Sequence, residues 1–191
     1  MIAVGLATAA LAGQASSGDR GVVLTFPHGA MVAVIDGLGH GKEACEAADA
    51  AVNALATDPS APVEELVRRC HASMRHTRGA VMTVASFAPG SMSWVGVGNV
   101  EGLLVRSSSV EAVAMRGGIV GYQLPALAPR RLPISHGDTL VLATDGIRHG
   151  FRAEVNTGRD PQVIAEAILA NWSKTTDDAC VAIARYVGGA P

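Results

Sequence analysis

Aromatic side chains are scarce: three Phe, two Tyr and two Trp make up 4% of the 191 residues, although 49% of the chain is apolar. A core built mostly from Ala and Val excludes loose packing, because small side chains fill space only when their backbones lie close together. An excess of one charge is also missing. Fifteen Lys and Arg stand against 17 Asp and Glu, for a formal net charge of −2 and a pI near 6.3, with no basic run. Neither nucleic acid nor a lipid-headgroup surface is therefore an expected partner. Cysteine is sparse and odd in number, and Cys45, Cys70 and Cys180 lack metal or redox spacing. That favours reduced thiols and a cytoplasmic protein. No apolar run approaches the ~20 residues of a membrane span, and the N-terminal MIAVGLATAALAG lacks the basic residue that opens a secretory signal.

Length suits one domain spanning 1–191, and no shift in composition divides it. Apolar β-rich runs broken by turn residues predict strands at Met1–Thr8, Gly21–Phe26, Met31–Ile35, Ala80–Ala88, Met92–Gly98, Gly102–Arg106, Val110–Met115, Asp138–Asp145 and Ala179–Val187. Helices are expected at Lys42–Ala56, from Pro62 to about Arg78, and at Pro161–Trp172. In the second, Val63, Leu66, Val67, Cys70 and Met74 recur at three- and four-residue intervals and form one apolar face. Hairpins with helices inserted in blocks predict an α+β fold with antiparallel sheets and helices on the outer faces. Trp94, Trp172 and Cys180 read as core, Glu64-Glu65 with Arg68-Arg69 as i,i+4 pairs on a wet face, and His71 and His76 as solvated.

Three aspartates share a local pattern. In VIDGLGHG, Val34 to Gly41, an apolar strand runs into Asp36 and glycine; LATDG repeats this at Asp145; and Asp177-Asp178 stands before the last strand. A fourth acid, Asp19 in Ser17-Gly18-Asp19, precedes the strand that pairs with the Asp36 strand. Hard divalent cations take carboxylate, carbonyl and water oxygens, and strand ends can gather acids that are distant in sequence. Glycine after the aspartate lets a backbone carbonyl approach a cation. Asp-Gly is also an ordinary turn pair, and Asp36 or His40 could cap the helix that starts at Lys42. Two such pairs after buried strands, with an Asp-Asp before a third, exceed what turn chemistry requires.

In combination, Asp36–Gly41, Ala143–Ile147 and Thr176–Ala179 resemble the spaced motifs of the Mg/Mn-dependent Ser/Thr protein phosphatases, the PPM family. With the upstream Ser-Gly-Asp they are similar to its SpoIIE-like bacterial branch, which regulates sporulation and stress sigma factors. The resemblance spans nearly the whole chain. It implies an α-β-β-α sandwich of two mainly antiparallel sheets flanked by helices, and Mn2+ or Mg2+ as cofactor, two ions. Asp36 would bridge the ions, the Gly37 carbonyl would complete one shell, and Asp145 and Asp177 would hold the other ion. Asp19 would act through metal-bound water. Asp178, where many relatives have Asn, would orient its neighbour or a water, or would itself be a ligand. Direct hydrolysis by a metal-activated water follows, without a phosphoenzyme.

Ser17-Gly18-Asp19 comes almost at once, which leaves no room ahead of it for a sensory domain. This resembles a stand-alone phosphatase of the stressosome and implies phosphorylated scaffold proteins as substrates, dephosphorylated as negative feedback. A catalytically silent phosphoprotein-binding module of the same fold is the alternative. An ATP-binding regulator fits less well, because Leu38 interrupts the glycine pattern of such a box and no asparagine-bearing helix precedes it. Two departures stand out. His40 lies four residues after Asp36 instead of two, which makes capping or packing as good a role as catalysis. Gln14 occupies the place of the relatives' phosphate-binding Arg, so the metals or Arg20 would take over the phosphate. Substrate contacts are expected from the Gly117–Pro133 loop and its Tyr122, since only His149–Asp160 stands where relatives carry a flap.

Overall fold

The computed structural model describes residues 1–188. Its strands are β1 (Ile2–Ala9), β2 (Asp19–Phe26), β3 (Gly29–Gly37), β4 (Ala80–Ala88), β5 (Ser91–Val97), β6 (Glu101–Val105), β7 (Val110–Ala112), β8 (Arg130–Pro133), β9 (Thr139–Ala143) and β10 (Ala179–Tyr186). The helices are α1 (Lys42–Ala56), α2 (Val63–Ser73) and α3 (Pro161–Trp172), with a 3-10 turn at Phe151–Glu154. One five-stranded sheet runs β1-β10-β9-β6-β7 and the other β2-β3-β4-β5-β8, and every strand pair is antiparallel.

Side-chain alternation sorts each central strand between two cores, as a period of two requires. Met31, Ala33 and Ile35 of β3 face α1 and α2, while Val32 and Val34 enter the space between the sheets. Likewise Leu140 and Leu142 of β9 point between the sheets, and Val141 and Ala143 point to α3. Four layers result: α1 and α2, one sheet, the other sheet, and α3. Helix α1 packs through Ala44, Ala47, Ala48 and Ala51, all without solvent contact, which is how a core poor in aromatics closes. Trp94 is buried, whereas Trp172 is only half-buried, its ring beneath the Arg148 guanidinium. Among the described residues no helix is long and apolar enough to cross a membrane.

Three expectations need correction. Helix α2 stops at Ser73 and does not continue to Arg78. There the Ser73 and Thr77 hydroxyls donate to the Cys70 and Met74 carbonyls, 3.0 and 2.7 Å away, and Gly79 turns left-handed at φ 82°. The Val110 strand ends at Ala112, because the chain leaves one sheet for the other: Arg116 N–H donates to the Gly96 carbonyl, 3.1 Å away. Within the segment read as loop, Arg130–Pro133 forms an edge strand on β5. Two exposed arginines and a proline, residues that edge strands tolerate, hid it.

The free edge of β1 is covered by α3. The Gln162 side chain acts as a strand partner, its Oε1 accepting from Leu6 N–H and its Nε2 donating to the Leu6 carbonyl, both at 2.9 Å. Replacing Gln162 with Leu leaves both backbone groups unpaired, and each half-buried orphan costs about 1–3 kcal/mol. At roughly 2–4 °C per kcal/mol for a chain of this length, differential scanning calorimetry of Gln162→Leu should show a clearly lowered thermal midpoint.

Candidate metal centre

The register of β2 on β3 sets Asp19 directly opposite Asp36. Across the sandwich, β9 and β10 are paired with Ala143 opposite Val181, so that Asp145, just beyond β9, and Asp177-Asp178, just before β10, reach the same end of the molecule. Two strand ends and two strand starts, one pair from each sheet, thus bring the acids to one mouth. Asp36, Asp145 and Asp177 line a cavity of about 280 Å³ together with Leu38, Gly39, His40 and Asn99.

Charge crowding is visible at three of the carboxyls. Asp19, only 3% exposed, is pushed up to about 7, chiefly by burial; the Thr144 hydroxyl opposes this, and the charges of Asp178, Asp177 and Asp145 add to it. Asp36 rises to about 8 through burial and then the charges of Asp19, Asp145, Asp177 and Asp178. Asp177 is raised by burial and by Asp145, with Lys174 pulling the other way. A separate sign of a missing partner is Asp19 Oδ2, which is buried with no hydrogen bond. The acids share a field but not a finished cage: among the described residues, no three His, Cys, Asp or Glu side chains stand in metal-holding geometry. An oxygen-only donor set with an orphaned carboxylate oxygen fits a hard divalent cation.

Asp178 has a different task from its neighbour. Its Oδ1 accepts from Leu11 N–H and its Oδ2 from Gly18 N–H, both at 2.7 Å, and the residue is 2% exposed. With an oxygen on each of these amides, it fastens the Ser-Gly-Asp loop and so places Asp19. Arg20 also holds that loop: it donates to the Ser17 and Asp19 carbonyls, pairs with Asp49 at 2.9 Å and touches the Cys45 sulfur. Its guanidinium is taken up by structure, which removes the support for a phosphate contact. Tyr122 is 79% exposed but does not line the cavity of the acids. His71, read as solvated, is half-buried and accepts from Gly121 N–H at 2.9 Å through Nδ1, anchoring the Gly117–Pro133 segment.

The glycines after the aspartates serve packing. A Cβ on Gly37 would run into the Ala44 carbonyl of α1, and one on Gly146 into the Asp178 carbonyl. Neither Asp36 nor His40 caps α1: the N-cap is Gly41, without a side-chain bond. His40 is exposed on the rim of the cavity, so packing is not its role either. Two residues missed by sequence reasoning complete the mouth. Asn99 Nδ2 donates to Asp145 Oδ2 at 2.9 Å, and Lys174 Nζ donates to the Asp145 carbonyl. Neither sits in a motif of its own, although Asn99 follows a Gly-Val-Gly strand end just as the acids follow theirs.

Comparison with known proteins matches the stage II sporulation protein E (SpoIIE) family over residues 27–189. A solved chain of the bacterial stressosome, a modular system adapted to control secondary messenger signaling, is 27% identical with a TM-score of 0.90, covering 97% of this chain and 100% of that one. RsbX in complex with magnesium is 21% identical at TM-score 0.87, over 96% and 94% of the two chains. The Mycobacterium tuberculosis serine/threonine phosphatase PstP/Ppp is 14% identical at 0.80, over 97% and 99%. The last two likenesses establish the fold. No curated protein matches the sequence.

Each raised carboxyl holds its proton more tightly folded than unfolded. Between about pH 4 and pH 8 the native state therefore binds more protons, and metal-free stability falls as pH rises. In chelator, the thermal midpoint should be higher at pH 5 than at pH 8. Asp36→Asn should flatten that slope and raise the midpoint at pH 8, where a slope equal to that of the wild type would contradict the crowding.

Proposed function

The chain belongs to the SpoIIE family, and from that premise we propose that it is a metal-dependent phosphoserine and phosphothreonine protein phosphatase. The observation that carries this is the meeting of Asp19, Asp36, Asp145 and Asp177 at one mouth of a PPM-type fold. Asp36, Asp145 and Asp177, with the Gly37 carbonyl, would hold two ions of Mn2+ or Mg2+, and Asp19 would act through water. Such a pair of cations, when bound, neutralises phosphate charge and makes a water acidic enough to attack near neutral pH.

The chain's own residues prepare the rest. Asp178 and Arg20 fix the loop that carries Asp19, and Asn99 orients Asp145. Lys174 brings a positive charge to the mouth: it lines the cleft beside Asp145, and its remaining N–H donors can take a phosphate oxygen. Nearby basic side chains are otherwise engaged, Arg78 with Glu43, His149 with Glu101, and Arg148 over Trp172. Hydrolysis is direct: the oxygen of water joins phosphorus as the ester bond to the Ser or Thr oxygen breaks, and that oxygen leaves with a proton. Burial pushes the Cys70 and Cys180 thiols up to about 12, so neither of these two serves as a nucleophile.

For substrate we assign phosphorylated stressosome scaffold proteins, dephosphorylated in the cytoplasm by an RsbX-like enzyme as negative feedback on stress sigma-factor signalling. Support comes from the stressosome chain and RsbX among the similar structures. The test is loss of phosphate, followed by mass, from phosphorylated scaffold proteins incubated with chelator-treated protein and Mn2+ or Mg2+. Release should require metal, and Asp36→Asn should reduce it by more than the ~10²-fold typical of losing an outer-shell contact. Persistent phosphorylation with metal present would favour a silent phosphoprotein-binding module. Lys174→Gln should raise KM and lower kcat/KM by roughly 10- to 100-fold, the effect of one charged hydrogen bond, while leaving metal affinity in place.

A further inference from the structure

Three cavities are linked by shared lining residues. The cavity of the acids shares Asn99 and Asp145 with a cleft of about 630 Å³ that also includes Gly98, Glu101, Met115 and Lys174. Met115 in turn is shared with a further hollow of about 230 Å³, bounded by Arg116 and Arg130 and floored by Pro125, Leu127 and Ala128. Through Asn99, Asp145 and Met115 the succession leads from the carboxylates to two guanidinium groups. Arg116 and Arg130 are both exposed, and among the described residues neither pairs with an acid; the Arg116 guanidinium makes a long 3.4 Å contact to the Ala126 carbonyl.

Sequence and fold explain why this end exists. The chain crosses from one sheet to the other at Met115–Arg116, where Arg116 joins the β5 side through Gly96 and Gly98. The segment 125–128 then lies over the crossing before Arg130 opens the edge strand β8. A floor of Pro, Leu and Ala with cations at its walls suits an extended peptide carrying acidic side chains, since a guanidinium binds a carboxylate through two parallel hydrogen bonds.

On the premise that the chain is a phosphoprotein phosphatase, we propose that the hollow bounded by Arg116 and Arg130 is a specificity site for acidic residues flanking the phosphorylated Ser or Thr. The ligand is thus a polypeptide segment with Asp or Glu several residues from the phosphate. Small phosphate esters, which reach only the mouth, do not use it.

The experiment compares phosphoserine peptides that carry three glutamates on one side or the other with the same peptides carrying glutamines, and includes 4-nitrophenyl phosphate as a small ester. Wild-type protein with Mn2+ should favour one glutamate peptide by about 10-fold or more in kcat/KM, consistent with a charged contact. Arg116→Glu with Arg130→Glu should abolish the preference while changing hydrolysis of the small ester by less than about 2-fold, and Arg116→Gln with Arg130→Gln should do the same without reversing charge. Equal rates on glutamate and glutamine peptides, or a preference that survives both double variants, would overturn the specificity site. Fluorescence anisotropy with non-hydrolysable phosphonate versions of the peptides reads the groove independently of turnover. If neither the small ester nor any phosphoserine peptide is cleaved while the glutamate preference in binding persists and disappears in the variants, the phosphatase assignment fails and the acidic-peptide site stands; equal binding of both peptides overturns the site.

Discussion

Like charges held close together at the meeting of two sheets are the constraint on which this molecule turns. Water would keep such carboxylates apart and ionised, whereas burial and mutual repulsion drive Asp19 to about 7 and Asp36 to about 8. A protein keeps so unfavourable an arrangement only if the surrounding structure overdetermines it. Here the overdetermination is visible: Asp36 sits in a nine-residue strand that is buried except at that acid, Asp19 is its cross-strand partner, and Asp178 ties the approach to Asp19 to the opposite sheet. Stability given up at the mouth is returned by three layers of core.

Small residues serve this constraint. Gly18, Gly37 and Gly146 sit where a Cβ would strike Ala44 or the Asp178 carbonyl, so the loops bearing the acids can nest against α1 and against each other. The same economy runs through the alanine face of α1. A chain with a bulkier helix would hold the two sheets but would push the β2 and β3 ends away from the mouth. The scarcity of aromatics, at first a statement about composition, becomes a statement about how closely the acid-bearing segments approach.

That these acids reach one end of the sandwich was legible in the sequence, because each stands at a strand end. Asp19, Asp36, Asp145 and Asp177 do meet at one mouth. Helices α1 and α3 and strand β4 were also readable to their boundaries, having strong periodicity and clear stops. What escaped depends on tertiary proximity. Nothing in Asn99, Lys174 or the two oxygens of Asp178 announces a partner, since each partner lies at least 29 residues away in the chain. Arg20 looked like a phosphate ligand from its place beside the motif, yet Asp49 and two carbonyls claim it. Edge strand β8 carries no periodic signal because it is only four residues long and Leu132 alone among them is half-buried.

Anomalous diffraction from crystals grown with Mn2+ locates any ion held by these acids. The account predicts manganese density among Asp36, Asp145 and Asp177, with the Asp178 carboxylate still bonded to the Leu11 and Gly18 amides. Manganese bound at Asp178 in place of those amides, or no anomalous density between the two sheets at saturating Mn2+, would contradict it.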